Sequence, residues 1–294
     1  MTERHFKKIA LIGREGVPGV SETLVALIEH LHAARCHVVV EENTSHLLPK
    51  QSITTVTAET LAQHTELLIV VGGDGSLLNA ARLAVDHDIP VLGINRGRLG
   101  FLTDVHPNEL GQINAILQGQ YIREFRFLLQ AQFKQDGIVA RDIALNDVVL
   151  LPGDIAQMID FDVFVNQQLV CHHRADGMII ATPTGSTAYA LSGGGPILYP
   201  DLNVIVLVPM FPHTLSSRPI VINNNTTITL NISKNNEISP YVSCDGLNRT
   251  AVSPGDEIII QKYPKQLQLI HSLSYNYFHT LRTKLHWEKQ ATRN

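Results

Sequence analysis

LLIVVGGDGS, residues 67–76, joins a strand, a turn and a helix start in one stretch. Residues 67–71 are uninterrupted apolar side chains, as expected of a strand buried on both faces of a parallel sheet. Gly72, Gly73 and Gly75 allow a tight turn and a close approach of backbone to ligand. Residues 77–85 carry apolar side chains at helical spacing, so a helix follows directly. The turn therefore lies at the carboxyl end of a strand, where open α/β sheets bind ligands, and the first N–H groups of the helix favour a phosphate. Asp74 is the odd member. A carboxylate beside a phosphate is repulsive unless it holds a cation or accepts a proton from a hydroxyl being phosphorylated, and both uses belong to phosphoryl transfer. The same residues also fit a plain turn in which Ser76 or Asp74 caps the helix.

The flanking segments extend this reading in both directions. Residues 9–12, 37–40 and 90–94 are further short apolar strands, and 21–34 and 109–117 show helical spacing, with Leu24, Leu27, Ile28 and Leu31 on one face. Alternating strands and helices predict parallel strands with crossover helices. After Tyr121 the pattern changes to successive strands. Phe161, Val163 and Val165 share one face, as do Ile228, Leu230 and Ile232, and 204–208, 257–261 and 267–270 are further strands. The expected fold is an α/β N-terminal domain with a parallel sheet at 1–121, followed by a β-rich, sandwich-like domain at 122–274. A C-terminal helix at about 275–294, with Leu281 and Leu285 at helical spacing, is expected to return to the first domain.

Composition narrows the function. The chain has 294 residues, 44% hydrophobic and 17% charged, which is normal for a protein with a core. A net charge of -4 speaks against a nucleic-acid binder. Cys36, Cys171 and Cys244 are odd in number and far apart, so a disulfide framework and a zinc site are not expected. No apolar run approaches the roughly 18 residues of a membrane helix, and 9–12 is too short for a signal-peptide core. These features predict a cytoplasmic protein with no membrane partner.

Other segments add chemistry. DGMIIATPTGSTAYALSGGGP, residues 176–196, crowds Thr182, Thr184, Ser186, Thr187, Tyr189 and Ser192 around glycines, a composition poor for a core and suited to a ribose and a pyrophosphate. Asn146-Asp147, just before a strand, offers donors and a carboxylate, or simply a turn. There is no G-x-x-x-x-G-K-[ST] loop, and Gly13, Gly16 and Gly19 have the wrong spacing for G-x-G-x-x-G, which leaves Glu41 and Glu42 without a dinucleotide role. Arg96 and Arg98 flank Gly97 and could meet phosphates or solvent. His172 and His173 are adjacent and point to opposite faces of a strand. His30, His32 and His37 lack the carboxylate or cysteine partners of a metal site, so no resident metal ligand is expected.

Taken together, GGDG at 72–75, LGINRGRLGFLTD at 92–104, Asn146-Asp147, the 176–196 run and PHTLSSRP at 212–219 resemble the bacterial NAD kinases. The resemblance runs from the first strand to Trp287. GGDG alone is shared with phosphofructokinase-like and lipid kinases; the hydroxyl-rich run is far more specific. A non-catalytic dinucleotide sensor would lack Asp74, and a dehydrogenase would need the missing glycine fingerprint. The resemblance implies transfer of the γ-phosphoryl group of ATP to the 2′-hydroxyl of the adenosine ribose of NAD, with Mg2+ or another divalent cation, by a homo-oligomer (dimer or tetramer). It implies Asp74 as proton acceptor and Gly75 beside it in substrate binding. Asn146 and Asp147 would contact the nicotinamide nucleotide. Arg174, Asp176, Thr187, Ala188, Tyr189, Ala190, Leu191 and Ser192 match binding positions. Leu247 stands where the family uses glutamine, and Gln157 where some relatives have histidine.

Overall fold

The computed structural model describes residues 5–49, 53–97, 100–135, 138–153 and 157–287. The chain forms two compact units, one of Met1–Phe125 with Leu267–Asn294, the other of Arg126–Gln266.

The first unit begins with β1 (Lys8–Gly13), α1 (Val20–Ala33), β2 (His37–Glu41), α2 (Glu42–Ser45), β3 (Thr54–Val56), α3 (Ala58–Leu61), β4 (Leu67–Gly72), α4 (Asp74–Val85), β5 (Val91–Asn95) and α5 (Gly111–Leu117). The five strands pair in parallel in the order β3-β2-β1-β4-β5. Every residue of β4 is buried, which explains its lack of polar alternation. Ile9, Leu11, Ile69 and Val71 meet Leu24, Leu27 and Leu31 of α1 in the core. The strand order reverses between β1 and β4, so a ligand crevice is expected at the carboxyl ends of these two strands, beside Gly13 and Gly72.

The second unit takes most of β6 (Ile122–Gln135), then β7 (Ile138–Ala144), β8 (Asp147–Leu151), β9 (Ile159–Val165), β10 (Gln168–Ala175), β11 (Gly177–Ala181), α6 (Tyr189–Ser192), β12 (Val204–Met210), β13 (Ile220–Asn223), β14 (Ile228–Ile232), β15 (Tyr241–Cys244), β16 (Asn248–Ala251) and the start of β17 (Glu257–His271). β10-β9-β14-β17 forms one antiparallel layer and β13-β12-β11-β8-β15-β16 the other. Phe161, Val163 and Leu230 from the first pack with Val148, Leu150, Ile180 and Leu207 from the second, giving a sandwich core.

Residues 257–261 and 267–270, expected as two strands of the β-rich half, form one strand. Its end belongs to the first unit, where Leu269 and Ile270 pair in parallel with Val91 and Leu92. The run of buried Leu267, Leu269 and Ile270 suits a strand covered on both faces. α7 (Tyr277–Lys284) follows; of the helix expected over 277–289, residues 288 and 289 lie outside the described residues. Among the described residues no helix is long and apolar enough to cross a membrane.

Candidate active site

In the first unit, the turn at 72–75 sits at the reversal point of the sheet. Gly73 is the N-cap of α4, and no side chain caps that helix, so neither Ser76 nor Asp74 serves as its cap. Asp74 and Gly75 are instead the first helical residues. The Asp74 carboxylate points to the segment after β5. Its Oδ2 accepts from the N–H of Phe101 at 2.8 Å, and its Oδ1 accepts from the N–H of Leu102 at 3.1 Å and from Thr103 Oγ1 at 3.4 Å. A methyl group at Gly100 would overlap Oδ1 of Asp74, so glycine is needed there for the carboxylate to reach these donors. Hydrogen bonds from N–H groups to an ionised carboxylate are stronger than neutral ones, so the two amides fix its orientation.

A cation also reaches the turn. Arg14 follows β1 at the reversal point, is exposed, and holds its Nη1 3.1 Å from the place a Cβ would occupy on Gly75. From the sequence, Arg96 and Arg98 could meet phosphates or solvent. Arg96 donates from Nε to Thr23 Oγ1 at 2.5 Å and packs on Gly19; Arg98 lies outside the described residues. Glu41 caps α2 by accepting from the N–H groups of Asn43 and Thr44, which accounts for its buried carboxylate without a ribose.

In the second unit, three chain segments converge around Asn146 and Asp147. β8 runs antiparallel to both β11 and β15, so its start lies beside their ends: Asp147 faces Ala181, and Val148 faces Cys244. After β15 the chain turns through Asp245 and Gly246, with φ of 54° and 68°. Asp245 turns its carboxylate back to accept from the N–H groups of Leu145 (2.9 Å), Asn146 (2.7 Å) and Asp147 (3.2 Å). After β11, Thr182 donates its hydroxyl to the Leu145 carbonyl at 2.6 Å and its N–H to the Asn146 carbonyl at 2.9 Å. The backbone of 145–147 is thus held on both sides, which aims its side chains at a cavity of about 330 Å³ lined by Asn146, Asp147, Ala188, Tyr189, Asp245 and Arg249. Burial, then the Asp245 charge, pushes the Asp147 carboxyl up to about 7.

The hydroxyl-rich run builds its own loop. Thr182 also accepts from the N–H of Gly185, Ser186 donates to the Pro183 carbonyl and accepts from Leu198, and Thr187 donates to the Thr184 carbonyl. Thr184 accepts from Arg126 at 3.4 Å. Ala190 is buried against the side of β11 and β12, so its side chain serves packing. The surface offered is Tyr189, which lines this cavity and a second of about 430 Å³ with Ser192 and Met210. A Cβ on Gly185 would overlap the backbone of Asn146, which cannot yield as a side chain can. Gly185→Ala is expected to cost at least about 1–3 kcal/mol and to lower the thermal midpoint; an unchanged midpoint would remove Gly185 from the support of Asn146.

Gln157 and Arg174 are exposed, Asp176 and Leu191 half-buried, and Leu247 lies in the turn after β15; these five do not line the cavity that holds Asn146. Asp245, Arg14 and Arg249 were not singled out from sequence. Asp245-Gly246 carried a turn signal, but nothing local says which amides its carboxylate caps. Among the described residues no group of three or more His, Cys, Asp or Glu side chains could hold a metal ion.

Known proteins carry the same organisation. Residues 9–121 match the ATP-NAD kinase N-terminal domain family, and 145–272 the ATP-NAD kinase C-terminal domain family. An NAD kinase of Coxiella burnetii (strain Dugway 5J108-111) is 58% identical over 98% of this chain and 97% of its own length. One from Pseudomonas putida (strain W619) is 50% identical over 96% of each. Among solved structures, an NAD kinase from Archaeoglobus fulgidus in complex with ATP superposes with a TM-score of 0.71 at 26% identity, covering 94% of this chain and 98% of that one. Yeast NADH kinase complexed with NADH superposes at 0.88 with 24% identity, over 97% and 89%, a likeness of fold. With both domain families matched in order and relatives at this identity over nearly the whole chain, this protein belongs to the NAD kinase family.

Proposed function

We propose that this chain transfers the γ-phosphoryl group of ATP to the 2′-hydroxyl of the adenosine ribose of NAD, giving NADP and ADP. The observation that carries the reading is Asp74, held by Phe101, Leu102 and Thr103 in a glycine turn at the reversal point of a parallel sheet. A lone pair of the 2′-oxygen attacks the γ-phosphorus, the bond from that phosphorus to the β,γ-bridging oxygen breaks, and ADP leaves with the electron pair. The hydroxyl proton passes to the Asp74 carboxylate, which also orients the oxygen. Gly75 and the first N–H groups of α4 face the phosphates, with the Arg14 guanidinium beside them. Mg2+ or another divalent cation supplies charge neutralisation.

In the same reading Asn146, Asp147 and the 187–192 segment bind the dinucleotide, with Tyr189 as an exposed aromatic face. Arg174, Asp176, Gln157 and Leu247 are assigned to nucleotide contacts by family position. Leu247 offers no side-chain hydrogen bond where the family uses glutamine. The protein is read as a cytoplasmic homo-oligomer. The test is direct: incubate protein, ATP, Mg2+ and NAD, and detect NADP with an NADP-specific dehydrogenase, with NADH as a parallel acceptor. NADP from NAD is the expected product; none from either acceptor would overturn the reading.

A further inference from the structure

His271, at the end of β17, is fully buried, at 0% exposure. Its Nδ1 lies 3.1 Å from Asp104 Oδ1. Its Nε2 lies 3.4 Å from Glu124 Oε2, an ion-pair distance without hydrogen-bond alignment. The Tyr275 ring stacks on the imidazole with centroids 3.8 Å apart and planes 11° apart. Burial pulls the imidazole pKa down, but the carboxylates of Asp104 and Glu124 outweigh it and hold the ring above its ordinary value. Two carboxylates directed at one interior group are costly unless that group is their counter-ion.

The position of Asp104 gives this cluster a second meaning. It immediately follows Phe101, Leu102 and Thr103, the three donors to Asp74. Thr103 is fully buried and packs against the backbone at Gly93 in β5. The segment is thus gripped by His271 behind and meets Asp74 in front, with little room to shift between them. From α7, Lys284 Nζ lies over the Phe101 ring at 5.1 Å to its centroid.

We propose that His271 is a positioning residue for phosphoryl transfer: through Asp104 it fixes residues 101–103, and through their donors it fixes the orientation of the Asp74 carboxylate. This rests on the reading of Asp74 as proton acceptor. A purely structural ion pair would instead change stability and leave the rate of the folded enzyme alone.

The test compares the full-length enzyme with His271→Gln, Asp104→Ala, their double variant and Asp104→Asn, which keeps an acceptor for the imidazole. Three quantities are read: kcat, KM for NAD, and amide exchange at Phe101 and Leu102. A small misplacement of a catalytic group costs about tenfold or more. His271→Gln and Asp104→Ala are each expected to lower kcat about tenfold with KM for NAD within about twofold. The double variant should be no slower than the slower single, because both act on one linkage. Asp104→Asn should recover most of the rate, and the two amides should exchange faster wherever the rate falls. Singles with kcat within twofold of the parent, multiplicative effects in the double, or unchanged protection of both amides would overturn the proposal. If His271→Gln does not fold, Asp104→Ala and Asp104→Asn decide it. If the parent forms no NADP, the functional reading fails, and amide exchange still decides whether His271 holds this segment.

Discussion

Asp74→Asn is expected to lower NADP formation by at least about 10²-fold, the lower end of what a positioned general base contributes, while NAD still binds. The substitution keeps size and removes two things. One is the basic oxygen that takes the 2′-hydroxyl proton. The other is the double acceptor pattern: an amide presents one oxygen and one NH2 group to a site where Phe101 and Leu102 both offer N–H groups. One of these pairings becomes donor against donor, so the side chain also loses its fixed orientation. The transition state of phosphoryl transfer is loose and deprotonation can come late, so orientation carries part of the effect. Steady-state rates with calorimetric binding of NAD measure the two separately. Near-normal turnover would remove Asp74 from the mechanism.

The second large effect concerns stability and its sign against pH. Asp147 is 5% exposed, and burial, then the charge of Asp245, raises its folded-state pKa from 3.8 to about 7. Between these values the folded chain binds a proton that the unfolded chain has released. The stability contribution is therefore fully present below about pH 4 and lost as pH rises through about 7. An asparagine cannot ionise. Asp147→Asn is expected to flatten this fall and to exceed the parent in stability at pH 8 by on the order of 4 kcal/mol, with near parity at pH 4. Urea unfolding across that range measures it; the same pH slope in both proteins would show that Asp147 is not the group responsible. The carboxyl shares a cavity with Asn146 and Arg249. A group that costs stability at such a place fits a binding role better than a structural one.

Much of the fold was legible in the sequence because its signals are local. The unbroken apolar run of β4 marks a strand covered on both faces, three glycines mark the turn, and alternation at 161–165 and 228–232 marks the half-buried strands of a sandwich. The division of the chain was less legible. The expected limits were 121 and 274, whereas the compact units change at 125/126 and 266/267. β6 and β17 each run through a boundary, and a strand that continues from one unit into another leaves no change in composition.

The glycine turn at residues 72–75 shows the same split. That a strand ends, a glycine turn follows and a carboxylate sits at the start of a helix is determined by residues 67–76 alone, because each signal depends on neighbours in the chain. What that carboxylate touches was decided only by tertiary structure. Asp74 meets donors 27 and 28 residues away, Asp245 caps amides about 100 residues upstream, and His271 meets a carboxylate 167 residues before it. The hydroxyl-rich run likewise reads as a loop, while the folded chain decides that Thr182, Ser186 and Thr187 hold the loop together. Side-chain hydrogen bonds are short and directional, so their partners are set by which segments the sheets bring within about 3 Å, and sequence separation carries no information on that.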